Sequence, residues 1–364
     1  MENVISYVKK YGNKTFKQKS IGEIDYAILS ILSYINYDGI LYSDKTKVKL
    51  GDAITQFFNK YTERELNTHG LGLKDSYKIA KSLIGTKRFG DLNLYNYVYV
   101  TDDTIQFSAM FIDISDDEIF VSIEGTDDEV VGWKEDFQLS YEFPIPSQKM
   151  CSQYLNNNIP LLSEKKYIIS GHSKGGNLAL VGCMYLPFLK HHKIKAIYSF
   201  DGPGLNDKEY KSHRYLSLKD KYNLVLPEYS IVGILLNNKV ERRVIGSHRM
   251  GVYAHSVYNW KVKDDDFCDA KLSSFSKSLE STVIKWVHSY NLKTRQRFVE
   301  DLFDIFERCN IKTLYKIHAK DLKEISIVVR EAKNISPESK TMIKEFITML
   351  LNTVKEDTFS FIKK

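Results

Sequence analysis

Over the first ninety positions, apolar residues recur at spacings of three and four. Ile24, Ala27, Ile28, Ile31, Leu32 and Ile35 form one series, and Ile54, Phe57, Phe58 and Tyr61 another. That is the period of an amphipathic helix, so residues 1 to about 90 read as a helical N-terminal cap, including a helix from Leu73 to Leu83 ended by Gly85. Strand character then begins at Leu92 and Tyr97 to Val100. It continues from Ile105 to Ile114 and from Ile119 to Ile123, the last two joined by the polar turn Ser115-Asp116-Asp117, a hairpin signal. Helical spacing returns from about Ser147 to Leu162.

Further along, Tyr167-Ile168-Ile169 reads as a buried strand, and Leu178 to Val181 with Cys183 and Leu186 as a helix. Strands are predicted from Ile194 to Phe200, Tyr222 to Leu226 and Val240 to Ile245, with more apolar sequence from Ile231 to Leu236. This alternation implies an α/β fold whose sheet is mixed but largely parallel and flanked by helices, with the hairpin strands antiparallel at one side. From Asp264 onward no strand is expected. Leu279, Val283, Trp286 and Val287 mark one amphipathic helix, Phe298, Leu302, Ile305 and Phe306 a second, and Ile343, Phe346, Ile347 and Leu350 a third. The run Asp264-Asp265-Asp266 then divides an α/β domain over 1–263 from a helical region over 264–364.

Composition narrows the picture without redirecting it. An apolar content of 43% with only seven prolines in 364 residues describes an ordered globule. The net charge of +6 is the small difference between 52 basic and 46 acidic residues, and the lysine clusters are short. No phosphate track results, and no nucleic-acid partner is expected. Four scattered cysteines form neither a disulfide framework nor a zinc pattern, so no metal or cofactor is expected. The N-terminus lacks a cleavable apolar segment and no run approaches a membrane span, so the expected location is cytoplasmic.

The chemistry concentrates in Gly171-His172-Ser173-Lys174-Gly175, set between the strand at 167–169 and the helix at 178–186. Strand, Gly-x-Ser-x-Gly and helix together describe a nucleophile elbow, which lifts the Ser173 hydroxyl above a sheet edge and places the Lys174 amide at a helix N-terminus. The plainer reading is a glycine-rich turn whose serine only caps the helix. A serine nucleophile needs a base. His69 precedes the elbow, His172 sits inside it with its side chain directed away, and His191 and His192 lie in a basic loop. His288 and His318 fall in predicted tail helices and His213 in an early polar loop, leaving His255 and His248 as candidates beyond the last strand. For the acid, Asp201 ends the strand after the elbow helix and Glu228 follows the next one; an Asx turn and a solvated loop are their plain readings. A second oxyanion amide is available at Thr126, in Ile123-Glu124-Gly125-Thr126-Asp127, although an ordinary turn would look the same.

Gly125-Thr126-Asp127, Trp133 with Asp136, Gly171 to Asn177, and Phe200-Asp201-Gly202-Pro203-Gly204 resemble, in this order, the class 3 lipases. Ile24-Asp25-Tyr26, Leu32-Ser33-Tyr34, Ser230 to Leu236, and Gly251 to His255 with Trp260 extend the likeness to the bacterial Mbeg1-like family of α/β-hydrolases over nearly the whole chain. The resemblance implies Ser173 as nucleophile, His255 as base, and the Thr126 and Lys174 amides as oxyanion donors. Class 3 lipases carry their acid after the strand that follows the Phe-Gly-x-Pro-like segment; here Ser230 stands in that stretch, so Asp201 is the first choice and Glu228 the second. Lys174 replaces the leucine usual among lipases, either to attract an anionic substrate or to pair with Asp127 or Asp128. The expected activity is hydrolysis of a small-molecule or lipid acyl ester. The alternatives are a thioesterase or peptidase on the same groups, or a non-catalytic protein whose tail docks a partner or a membrane surface.

Overall fold

The computed structural model describes residues 2–66, 69–236, 240–313, 335–345 and 348. Its strands are β1 (Val48–Lys49), β2 (Asn93–Thr101), β3 (Gln106–Asp113), β4 (Glu118–Ile123), β5 (Lys166–His172), β6 (Ile194–Phe200), β7 (Tyr222–Pro227), β8 (Arg242–Ile245), β9 (Val262–Lys263) and β10 (Asp266–Phe267). The helices are α1 (Val4–Tyr11), α2 (Glu23–Ser30), α3 (Leu50–Lys60), α4 (Glu63–Leu66), α5 (Leu71–Leu83), α6 (Val130–Gln138), α7 (Pro146–Asn158), α8 (Lys174–Met184), α9 (His213–Leu216), α10 (Ser274–His288) and α11 (Leu292–Arg308). Strands β1 to β8 form one sheet in chain order, antiparallel from β1 to β4 and parallel from β4 to β8.

That order explains the layers. Parallel crossovers are right-handed, and here the winding from β4 to β8 never reverses direction, so successive crossover helices fall on one face. Cys151 and Leu155 of α7, Leu178 and Leu180 of α8, and Tyr215 of α9 share one core with Phe111, Val121 and Ile169 of the sheet. The opposite face would be bare, and the N-terminal helices cover it. Val4, Ile24, Ile28, Ile54 and Leu83 pack there with Met110, Phe120, Ile168 and Phe200. Alternate residues of one strand thus enter different cores, as the two-residue period of a pleated strand requires. The result is an α/β, α/β-hydrolase-like fold.

Two expectations change. The helical N-terminal stretch contains a strand, β1, which adds an antiparallel edge beside β2. The Asp264–Asp266 run is the turn and first residue of the β9–β10 hairpin, so strand structure extends past Asp264. The apolar stretch from Ile231 to Leu236, for which no element was predicted, forms bends and a turn. In the tail, α10 joins the crossover-face core through Leu279, while Phe298 and Phe303 of α11 pack on Phe137 of α6. Ile343 lies in a helix over 337–345; Phe346, Ile347, Leu350 and His318 lie outside the described residues.

Candidate active site

Ser173 follows β5 directly and holds φ 59° and ψ −135°, a conformation that side chains with a Cβ rarely adopt. Such strain costs on the order of 1–3 kcal/mol and persists only where the surroundings impose it. Here the Ser173 amide donates to the Phe200 carbonyl at 2.9 Å, and the Ser173 carbonyl accepts from the Gly176 amide at 2.9 Å. A Cβ at Gly171 would strike Gly175, and one at Gly175 would strike the Ile123 carbonyl, so both glycines are required by close approach. Helix α8 begins at Lys174, which puts that amide in the helix's first turn beneath the serine.

The neighbouring strand ends supply the rest. On one side β6 is followed directly by Asp201, itself at φ 51° and fully buried. Its Oδ2 accepts from His255 Nδ1 at 2.6 Å, and its Oδ1 accepts from Ser230 Oγ at 2.5 Å and the Gly233 amide at 3.1 Å. This fixes the His255 tautomer, with the proton on Nδ1, and leaves Nε2 able to act as a base. Among the described residues no hydrogen bond joins Ser173 Oγ to His255. Such contacts often tighten only when substrate binds.

His172 holds the other end of that histidine. Its Nε2 donates to the His255 carbonyl at 2.8 Å, and its Nδ1 lies 3.0 Å from Tyr34 Oη. A carbonyl can only accept, so the proton sits on Nε2 and Tyr34 is the donor to Nδ1. Burial and the nearby His255 push the His172 pKa well below its usual value, keeping the ring neutral. His172, expected only to point away from Ser173, has its ring 4.3 Å from that of His255, centroid to centroid.

On the other side, β4 runs into Gly125-Thr126. A Cβ at Gly125 would meet the Tyr34 hydroxyl and the His172 carbonyl and come within 3.0 Å of Ser173 Cβ, so this loop lies against Ser173. Thr126 Oγ1 donates to Asp136 Oδ2 at 2.5 Å. Burial pushes the Asp136 carboxyl up to about 6, against the opposing pull of Lys174, Thr126 and His255. Burial, reinforced by the Asp127 charge, raises Glu124 well above the carboxylate range.

The Lys174 side chain makes neither of the pairs expected of it. It is fully buried, and Nζ donates to Glu135 Oε2 at 2.9 Å and Gln106 Oε1 at 2.8 Å. Glu135 Oε1 also accepts from the Ser147 amide at 2.9 Å, and Gln106 Nε2 donates to the Gly125 carbonyl at 3.0 Å. Gln106 thereby ties the elbow lysine to the loop carrying Thr126. An ammonium so enclosed is not presented to a substrate.

Two candidates stand apart. Glu228 Oε1 accepts from the Ser247 amide at 2.9 Å and pairs with Lys261 at 3.3 Å. His248 Nε2 donates to the Glu2 carbonyl at 2.9 Å on the exposed side. Gln106, Glu135 and the roles of Tyr34 and Ser230 were not foreseen; no local pattern marks Gln106 or Glu135, Tyr34 stood only in a segment of the family resemblance, and Ser230 at a position where an acid was sought. Among the described residues, no group of three or more His, Cys, Asp or Glu side chains could hold a metal ion, and no helix is long and apolar enough to cross a membrane.

A mostly parallel sheet, a strained serine between strand and helix, and a buried carboxylate–imidazole pair at the same sheet edge define an α/β-hydrolase-like protein. The chain belongs to the Mbeg1-like family, whose model matches residues 83–304. Among solved structures, the chain is similar to one described as the crystal structure of M37 lipase. The two share 17% sequence identity, the match covers 58% of this chain and 69% of that one, and the TM-score is 0.34. A comparison with curated proteins yields no match.

Proposed function

We propose that this chain is a serine hydrolase acting on carboxylic esters. Ser173 Oγ attacks the acyl carbonyl and passes its proton to His255 Nε2, while Asp201 holds the imidazole and stabilises its cation. The Thr126 and Lys174 amides donate to the oxyanion. The leaving alcohol takes the proton from His255. Water, deprotonated by the same ring, then releases the acid and restores Ser173. The observation that carries this reading is the 2.6 Å contact between His255 Nδ1 and Asp201 Oδ2 at the sheet edge where strained Ser173 stands. Lipid-type acyl esters are the substrate class, and the cytoplasm is its place of action.

The test is turnover of nitrophenyl esters of graded acyl length by the purified chain. Saturable hydrolysis that vanishes in Ser173→Ala is expected. Hydrolysis unchanged in Ser173→Ala, or none with any chain length, overturns the proposal.

A further inference from the structure

Two loops at the sheet edge opposite Ser173 share one construction. Helix α7 ends at Asn158 and is followed by Pro160-Leu161-Leu162; α8 ends at Met184 and is followed by Pro187-Phe188-Leu189. Each loop then enters a parallel strand through basic residues, Lys165-Lys166 into β5 and Lys190 to Lys193 into β6. A proline after a helix end stops the helix. Nothing in that role calls for two large apolar residues next to it. Leu161, Leu162, Phe188 and Leu189 are nonetheless 41, 93, 75 and 68% exposed, the largest such grouping among the described residues. The loops are neighbours: Tyr167 pairs with Ile194 at the strand starts, Lys193 Nζ reaches the Ser163 carbonyl, and Lys166 Nζ reaches the His192 carbonyl at 3.1 Å.

The surrounding charge is positive by a small excess: Lys165, Lys166, Lys190, Lys193, Lys195, Lys219 and Lys221 stand along this edge against Asp116, Asp117, Glu118, Glu164 and Asp220. Lys166, Lys190, Lys193 and Lys221 direct their ammoniums at backbone carbonyls, of His192, Asn156, Ser163, and His191 with Ile194 respectively. A carbonyl fixes an ammonium in place without cancelling its charge. Lys195 pairs with the Glu118 carboxylate, and at the same end of the sheet Lys47 pairs with Asp113 and Lys17 with Asp116. Burial and then the Lys166 charge depress Lys221, as expected where cations crowd together.

We propose that this edge docks on an anionic lipid bilayer, with Leu161, Leu162, Phe188 and Leu189 entering the headgroup region and Lys166 and Lys190, which unlike Lys193 are not buried, facing acidic headgroups. Apolar side chains at loop tips, ringed by cations, match an interface whose surface is negative and whose interior is apolar. An acidic protein partner would match the charge, but it would need a complementary surface for two protruding tips. Orientation follows from the sheet. Ser173 stands beyond the far end of seven-residue β5, roughly 20 Å from the tips at a strand's rise per residue. The docked chain therefore turns its candidate site toward the aqueous phase, and its acyl ester reaches Ser173 from solution rather than from the supporting bilayer.

The test is co-sedimentation of the full chain with vesicles of phosphatidylcholine alone and of phosphatidylcholine with one-third phosphatidylglycerol. Binding to the anionic vesicles is expected to exceed binding to the neutral ones at least tenfold and to collapse in about 0.5 M salt. Leu162→Ser with Phe188→Ser is expected to lower it at least tenfold, and Lys190→Gln about fivefold. These substitutions are at the surface, and an unchanged thermal transition and unchanged ester turnover confirm an intact fold. No vesicle binding, equal binding to both compositions, or binding undiminished in the double variant overturns the proposal. So does a dimer dissolved by the same substitutions in a chain that ignores vesicles, which would make the edge a contact between copies.

Discussion

Ser230 Oγ donates to Asp201 Oδ1 at 2.5 Å, on the carboxylate whose other oxygen accepts from His255. The loop after β7, where the lipase resemblance places an acid, thus supports the acid that follows β6. If Asp201 orients His255 during turnover, Asp201→Asn lowers kcat by about 10⁴-fold, because the amide permits the wrong imidazole tautomer. Ser230→Ala leaves two of three donors to Asp201 and lowers kcat about tenfold. Steady-state rates on a short-chain ester measure both, and an Asp201→Asn enzyme within tenfold of the parent rules Asp201 out as the acid.

Glu228 and His248 are spent elsewhere, on Ser247 with Lys261 and on Glu2. Glu228→Gln and His248→Gln are therefore expected to keep kcat/KM within about threefold. A loss of a hundredfold in either would move the acid or the base to that residue.

Lys174 and Glu135 form an ion pair with essentially no solvent exposure. Lys174→Met leaves a buried carboxylate without its cation and is expected to cost about 3–5 kcal/mol, read as a lower urea midpoint. Lys47, paired with Asp113 at the surface, is the control: Lys47→Met should change stability by less than about 1 kcal/mol. Equal effects of the two substitutions would contradict the buried pair.

Asp136 carries a pH signature. Its pKa rises from 3.8 in an unfolded chain to about 6 when folded, so the folded state holds the extra proton between those values and stability falls as pH rises through that window. Two units at 1.36 kcal/mol each put the loss on the order of 3 kcal/mol. Asp136→Asn removes this term. Urea unfolding at pH 4 and pH 7 should show the parent losing stability relative to the variant as pH rises, and parallel changes would refute the assignment.

Much of the architecture is legible in period alone. The switch from three-and-four spacing to alternation after Leu92 marks where the long strands begin, and the predicted strand from Ile194 to Phe200 coincides with β6. The two-residue strands β1, β9 and β10 were not legible, because so short a stretch carries no period; their pairing is set by tertiary contact. Ser173 was legible because its strain demands glycines at fixed offsets. The partners of Lys174 were not. Asp127 and Asp128 directly follow Thr126, but α6 brings Glu135 across to the lysine, and β3 supplies Gln106 from 68 positions away. Residues that hold a site through long-range hydrogen bonds leave no local pattern to read.

The central claim is that Ser173 is a nucleophile served by His255. Incubation with a fluorophosphonate, followed by peptide mass analysis, tests it most directly. One phosphonyl group on Ser173, absent in Ser173→Ala and formed at least a thousandfold more slowly in His255→Ala, is the predicted result. A folded parent chain that takes up no phosphonyl group, or takes it at another serine, contradicts the claim.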